Sequence, residues 1–168
     1  NALLLLLAFY AADRYSVSSD VLINLSAGLF ILPFILFSAT AGQLADKFEK
    51  SLLIRLIKLL EIVIMLAAAV ALWFDSIPVL IFLLFMMGAQ SALFGPVKYG
   101  LMPQILSAEE LLGANGLVET GTFLAILLGT ALGGVLIGID GWGRELVAGA
   151  VVLIAVMGFI SSLGIPRI

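Results

Sequence analysis

The 168 residues contain no cysteine and no histidine, and charged residues make up only 11% of them. Without cysteine and histidine, the segment can form no disulfide and lacks the usual ligands of zinc, haem and iron–sulfur clusters. It also holds no recognisable group of nucleophile, base and orienting residue, and no glycine-rich phosphate loop. We therefore expect no enzyme activity, metal or cofactor. The absence of a basic run argues against a nucleic-acid partner.

Apolar residues, in contrast, are abundant: 63% of the chain is hydrophobic, and the mean hydropathy is +1.27. A soluble domain carries roughly 25% charged residues, so this surface is expected to face lipid. Long apolar runs without polar alternation predict an all-α membrane protein, because a helix satisfies its own backbone in a bilayer. About 20 apolar residues cross a bilayer. Six spans are predicted, at 1–12, 21–45, 52–74, 78–94, 115–139 and 146–165, the first being truncated.

Basic residues are divided unequally between the two sides of this arrangement. One side has only Arg14 and Arg144, whereas the other carries Lys47, Lys50, Arg55, Lys98 and Arg167. The positive-inside rule places the richer side in the cytoplasm. We therefore predict a multi-pass protein with both ends of the segment in the cytoplasm.

A motif follows the second predicted span: Gly42-Gln43-Leu44-Ala45-Asp46-Lys47-Phe48-Glu49-Lys50, with Arg55 shortly after it. This signature loop resembles the glycine–x–leucine–alanine–aspartate–basic loop between the second and third helices of the major facilitator superfamily. The resemblance implies the six-helix N-terminal half of a major facilitator fold, in which Asp46 latches the two halves in the outward-open state. Because glycine is small, Gly42 is expected to let neighbouring helices approach closely. A charged turn that only fixes topology is the alternative.

Two further stretches narrow the resemblance. They are Phe94-Gly95-Pro96-Val97-Lys98-Tyr99-Gly100-Leu101-Met102-Pro103-Gln104 and Asn115-Gly116-Leu117-Val118-Glu119, the second followed by Thr122 and Ala125-Ile126-Leu127-Leu128-Gly129. Together with Asn1-Ala2-Leu3-Leu4, they resemble the bacterial lysophospholipid transporter family, which includes domains fused to an acyltransferase and an acyl-activating synthetase.

This second resemblance implies a secondary transporter of the bacterial inner membrane that works by alternating access. Its cargo would be lysophospholipid, with lysophosphatidylethanolamine favoured, and its partners a C-terminal six-helix half and a fused or associated acyltransferase. Export of drug-like or small organic solutes fits the signature loop equally well. A membrane anchor for an acyltransferase is a third hypothesis, which charged residues inside the spans disfavour.

Charged residues inside the predicted spans cost roughly 2.5–3.5 kcal/mol each at the bilayer centre, so they need a partner or a role. Lys58 and Glu61 lie three residues apart and can pair on one helix face, or one of them can face a central cavity and bind a headgroup or ion. Lys98 and Glu119 lie at matched depth on neighbouring spans, so we predict a Lys98–Glu119 pair, either an inner gate or a structural pair. The other candidate substrate, ion or gate residues are Gln90, Tyr99 and Asn115.

Small residues recur at four-residue spacing in the fifth predicted span: Gly121, Ala125, Gly129 and Gly133. This bare face predicts close packing against a partner helix. The second span is rich in aromatic residues, namely Phe30, Phe34 and Phe37. Together with Tyr99, they can line a path for an acyl chain or face lipid, and the sequence pattern leaves both alternatives open.

The stretch from Ser107 to Glu110 is typical of a capping box. It predicts the start of a short cytoplasmic helix between the fourth and fifth spans.

Overall fold

A computed structural model describes residues 18–167, which form α-helices and contain no strand. The helices are α1 (Ser19–Lys47), α2 (Lys50–Trp73), α3 (Ile77–Ile105), α4 (Ala108–Ile137) and α5 (Gly143–Leu163). The predicted all-α class is confirmed. All five helices are long and apolar enough to cross a membrane. The predicted first span, 1–12, lies outside the described residues, so five helices are seen where six spans were predicted for the whole chain.

The boundaries of the middle helices differ most from the prediction. α3 continues to Ile105, beyond the predicted end at 94, and α4 begins at Ala108 instead of 115. Pro96 and Pro103 lie inside α3, although they suggest a helix end in the sequence. Membrane helices accept proline because neighbouring groups can satisfy the freed backbone carbonyls. The predicted loop between the two spans is therefore mostly helical.

The capping box is present, but it begins α4 itself, so the prediction of a separate short helix was wrong. The Glu110 carboxylate accepts hydrogen bonds from the backbone N–H and the hydroxyl of Ser107, at 2.9 and 2.8 Å. These bonds satisfy groups that the first helical turn leaves without partners. The same helix runs on without a break to Ile137.

α1 and α3 form the most extensive helix pair in the described part of the chain. Their closest approach is at Gly88 of α3, where a Cβ would collide with the backbone carbonyl of Phe30 and lie 3.1 Å from the Pro33 side chain. A glycine permits such backbone contact, which drives helix association in lipid through van der Waals packing. The close approach predicted at Gly42 is not seen among residues 18–167, since a Cβ there meets no described atom within 4 Å.

α2 lies at the centre of the best-packed region and contacts both α3 and α5. Apolar side chains of the three helices form one buried cluster, whose fully buried members include Leu72, Leu80 and Val147. Its packing resembles a protein interior, so each side chain touches several others. We call α2, α3 and α5 the packed core.

α2 and α5 run antiparallel and are joined by polar contacts near both ends. At one end, Arg55 Nη2 donates to the carbonyl oxygens of Leu163 and Ile165, at 3.4 and 2.9 Å. At the other end, Arg144 forms an ion pair with Asp75 in the turn after α2. We name the first end the loop end, because the signature loop lies there, and the second the tryptophan end, after Trp73 and Trp142.

Candidate functional site

A cavity of about 610 Å³ lies among α1, α2, α3 and α4. This volume is in the range of small-molecule sites, about 300–1,000 Å³. Its lining contains five of the seven residues predicted for substrate, ion or gate roles: Lys58, Glu61, Gln90, Lys98 and Tyr99. Glu119 lies at its edge through a bond to Tyr99, whereas Asn115 is exposed on α4 and is absent from the lining.

Lys58 and Glu61 form an ion pair on α2, with 2.7 Å between Nζ and Oε2. The two side chains are only 21% and 20% exposed. Their spacing of one helical turn lets each compensate the charge of the other in a poorly solvated place. Lys58 Nζ also lies 4.9 Å from the centre of the Phe94 ring of α3, within the range of a cation–π interaction.

The predicted Lys98–Glu119 pair is absent, and this prediction was wrong. Glu119 accepts a hydrogen bond from the Tyr99 hydroxyl instead. Adjacent residues of a helix point in different directions, so only one of Lys98 and Tyr99 can face α4. Lys98 Nζ lies 4.6 Å from the centre of the Tyr99 ring and 5.9 Å from that of Phe94. Among the described residues, no carboxylate forms an ion pair with Lys98.

Gln90 supplies a buried amide to the cavity wall. Its side chain is 4% exposed, and its Oε1 accepts a long hydrogen bond, 3.4 Å, from the Ser91 hydroxyl. Its amide nitrogen donates to no residue between 18 and 167. Among the described residues, the buried side-chain atom without a partner is Arg55 Nε, so the Gln90 nitrogen is accessible from the cavity and can donate to a ligand there.

Aromatic residues of α1 form an apolar part of the lining. The Phe30 and Phe34 rings are 6.2 Å apart between centroids, and both line the cavity, as does Tyr99. Phe37 instead makes an edge contact with Phe85, at 6.5 Å, and is not part of the lining. Of the aromatic residues of α1 that were considered for an acyl-chain path, two therefore reach the cavity.

The small-residue face of α4 is not buried against another described helix over most of its length. Ala125 and Gly129 line the cavity, and a Cβ at Gly121 or Gly129 meets no described atom within 4 Å. Gly133 is the one member that is buried, and it borders a small cleft shared with α5. The predicted helix packing was therefore wrong for the cavity half of this face, as far as residues 18–167 show.

Further lining residues were not predicted as site residues. Ser91 and Phe94 precede Lys98 on α3, and Thr122 follows Glu119 on α4. For Phe94 and Thr122, a spacing of three or four residues from predicted site residues was the available signal, because such residues share a helix face. Ser91 directly follows Gln90, and no such spacing points to it. The Thr122 hydroxyl donates to the Val118 carbonyl at 2.8 Å, so it is satisfied within its own helix.

The signature loop divides into an outward and an inward set. Asp46 and Lys47 are exposed, and Lys47 Nζ lies 5.8 Å from the centre of the Phe48 ring. Lys50 folds onto α3, where its Cε would lie 3.0 Å from a Cβ at Gly100. Arg55 caps the last carbonyls of α5, as described above. Lys50 and Arg55 thus contact the bundle, whereas Asp46 and Lys47 are exposed and available to other partners.

No cluster of metal-ligating residues occurs in the part of the chain that the structure describes. The cavity offers one uncompensated ammonium, an ion pair, an amide donor and an apolar wall.

Comparison with known proteins agrees with the helical architecture. The chain matches the Major Facilitator Superfamily over residues 1–167. It is 34% identical over 139 residues to proteins named lysophospholipid transporter LplT from Yersinia pestis (strain Pestoides F) and Yersinia pseudotuberculosis serotype O:3 (strain YPIII). The match covers 83% of this chain and 32% of each relative, so the chain spans about a third of their length. No solved structure matches it. On this evidence the chain belongs to the Major Facilitator Superfamily.

Proposed function

We propose that this chain is the N-terminal six-helix half of a secondary transporter that moves lysophospholipid across the bacterial inner membrane. The cavity carries the proposal, because it combines an uncompensated lysine with an apolar wall. A lysophospholipid presents the complementary chemistry, a phosphate-bearing headgroup and one acyl chain. The name of the Yersinia relatives supports the same cargo.

Charge favours a phosphate ligand over a cationic one. Lys58 and Glu61 compensate each other, and this leaves the Lys98 ammonium as the excess charge of the described lining, with the Glu119 carboxylate held at the cavity edge by Tyr99. An ammonium in a poorly solvated cavity attracts a phosphate oxygen through a charge-assisted hydrogen bond. A drug-like organic cation would be repelled by the same group, so export of such compounds fits the cavity less well.

Alternating access requires a second half to close the cavity. Substrates of such transporters bind near the bilayer midplane between two bundles that rock against each other. The exposed Asp46 carboxylate would contact the second bundle at the loop end. The six-helix half would be completed by residues 1–12 as its first helix, with both ends in the cytoplasm as the lysine and arginine distribution predicts.

The product of inward transport would be a lysophospholipid in the cytoplasmic leaflet. Reacylation would consume it there, and we therefore propose a fused or associated acyltransferase as the partner. The chain itself would carry no catalytic role.

The test is uptake of labelled lysophosphatidylethanolamine into proteoliposomes that contain the full-length protein, its Lys98→Gln variant or its Lys47→Gln variant. Loss of a charge-assisted hydrogen bond should lower the Lys98→Gln initial rate at subsaturating substrate by about ten- to a hundredfold. Lys47→Gln removes an exposed lysine and should keep the parental rate. No uptake by the well-folded parent would refute the cargo, and equal rates for all three proteins would refute the role of Lys98.

A further inference from the structure

The cavity has one wall that is nearly bare of side chains. On α4, Ala125 and Gly129 face the cavity one helical turn apart, about 6 Å along the axis. A Cβ at Gly129 meets no described atom within 4 Å, so no residue between 18 and 167 occupies the space in front of it. Because α4 contributes so little volume here, the width of the cavity at this level depends on these two residues.

Large apolar groups line part of this region, together with the Lys58–Glu61 pair of α2. Phe30 and Phe34 come from α1, and Ile126 lies beside Ala125 on α4. Aromatic and aliphatic groups around an open space suit a flexible hydrocarbon chain, which fills irregular apolar volume.

Gln90 gives independent evidence that this space holds a ligand. Its side chain is 4% exposed and lines the cavity, and its amide nitrogen has no partner among residues 18–167. The nitrogen is accessible from the cavity, so a bound molecule with an oxygen acceptor can take its hydrogen bond. The ligand is therefore expected to carry an oxygen acceptor near Gln90.

Helix geometry places the polar and apolar features in a definite order. α3 begins at the tryptophan end and α4 ends there. With a rise of 1.5 Å per residue, Gln90 lies about 20 Å from the tryptophan end of α3, and Gly129 lies about 12 Å from that end of α4. Lys98, still further along α3, is about 31 Å from it. Lys98 thus lies toward the loop end of the cavity and Gln90 near its middle, and the bare wall extends toward the tryptophan end.

We propose that Ala125 and Gly129 form the wall against which the acyl chain packs, and that their small size sets the longest chain the cavity accepts. This inference rests on the proposed function, because it assumes a single-chain phospholipid in the cavity. The headgroup oxygens lie toward Gln90 and Lys98, and the chain runs past Ala125 toward Gly129.

The test measures selectivity for chain length, not the level of activity alone. Full-length protein and variants are titrated with n-alkylphosphocholines of ten to eighteen carbons, and ligand-induced thermal stabilisation gives the affinity for each length. In Gly129→Leu, a leucine occupies the end of the path, so affinity for the longest chains should fall about tenfold while the shortest chains bind as in the parent. Ile126→Ala enlarges the same region and should shift the preference toward longer chains.

Gly134→Leu is the matched control, because it places the same side chain on the same helix but outside the cavity lining. A Cβ at Gly134 meets no described atom within 4 Å. It should keep the parental length preference. An equal loss at every length in Gly129→Leu, or an unchanged preference in both Gly129→Leu and Ile126→Ala, would overturn the acyl-wall proposal. If the parent binds the alkylphosphocholines but takes up no lysophosphatidylethanolamine, the proposed transport fails while the wall assignment stands.

Discussion

The packed core and α4 are held in the bundle in different ways. α2, α3 and α5 share a buried cluster and are joined by Arg55 at one end and by Asp75–Arg144 at the other. α4 buries only Gly133 among the residues that the structure describes. Its exposed side chains include Leu112, Leu117 and Phe123, at 84%, 77% and 68%. The described residues thus contain a firmly packed region and a helix with few neighbours among them.

This difference separates the residues that maintain the fold from those that can serve transport. Regions with little buried contact open at low free-energy cost, and moving elements of proteins are drawn from them. α4 forms one side of the cavity and touches α3 only sparsely. We therefore expect substitutions in the packed core to change stability, and substitutions on the cavity face of α4 to change substrate selection.

The largest effect is expected for Gly88→Ala at the contact of α1 with α3. The new Cβ would collide with the backbone carbonyl of Phe30, which cannot move as a flexible side chain would. Overpacking of this kind costs about 1–3 kcal/mol, measured as the free energy of unfolding of the purified full-length protein in mixed micelles. Gly42→Ala is the control and should leave stability within about 0.5 kcal/mol. Equal stability of the two variants would contradict the α1–α3 geometry.

A smaller loss is expected for Arg55→Gln, which removes the guanidinium from the end of α5. The Leu163 and Ile165 carbonyls would lose a charged donor, and the free energy of unfolding should fall by about 1 kcal/mol. Lys47→Gln removes a positive charge at the same end without breaking a bond to α5, so its unfolding should match the parent. A similar loss in both variants would show that stability depends on positive charge at the loop end and not on the hydrogen bonds from Arg55 to the Leu163 and Ile165 carbonyls.

The smallest effect, and the one that tests α4 directly, is expected for Tyr99→Phe. The Tyr99–Glu119 hydrogen bond is the described side-chain hydrogen bond between α3 and α4. Its loss should speed amide hydrogen exchange in residues 108–122 by about twofold, equivalent to roughly 0.5 kcal/mol of local stability, and leave the packed core unchanged. Thr122→Val also removes a hydroxyl, but one that is bonded within α4. Exchange in Tyr99→Phe that matches the parent would show that this bond does not hold α4.

The sequence predicted the helices well because lipid leaves the backbone few choices. A long apolar run must satisfy its own N–H and C=O groups, and a helix does so at any such run. Helix ends were less certain, since Pro96, Pro103 and the polar residues around them suggest a loop but lie in helix.

The side-chain partners were predicted only where a single helix determines them. Lys58 and Glu61 are three residues apart, so helix geometry alone brings them together, as the structure shows. The Lys98–Glu119 pair depended on how α3 is rotated relative to α4, and the rotation presents Tyr99 instead. In the same way, glycine spacing does not reveal which helix face is packed. Gly88 is in close contact and Gly42 is not, because neighbouring helices decide where backbones meet.

The most direct test of the central claim compares two single-chain lipids of equal chain length in proteoliposomes that contain the full-length protein. One is labelled lysophosphatidylethanolamine, and the other is the monoacylglycerol, which lacks the phosphate. Our account predicts saturable accumulation of the lysophospholipid above that in protein-free liposomes, with the monoacylglycerol a weak competitor. No accumulation, or equal competition by the monoacylglycerol, would contradict a transporter whose cavity selects a phosphate-bearing lipid.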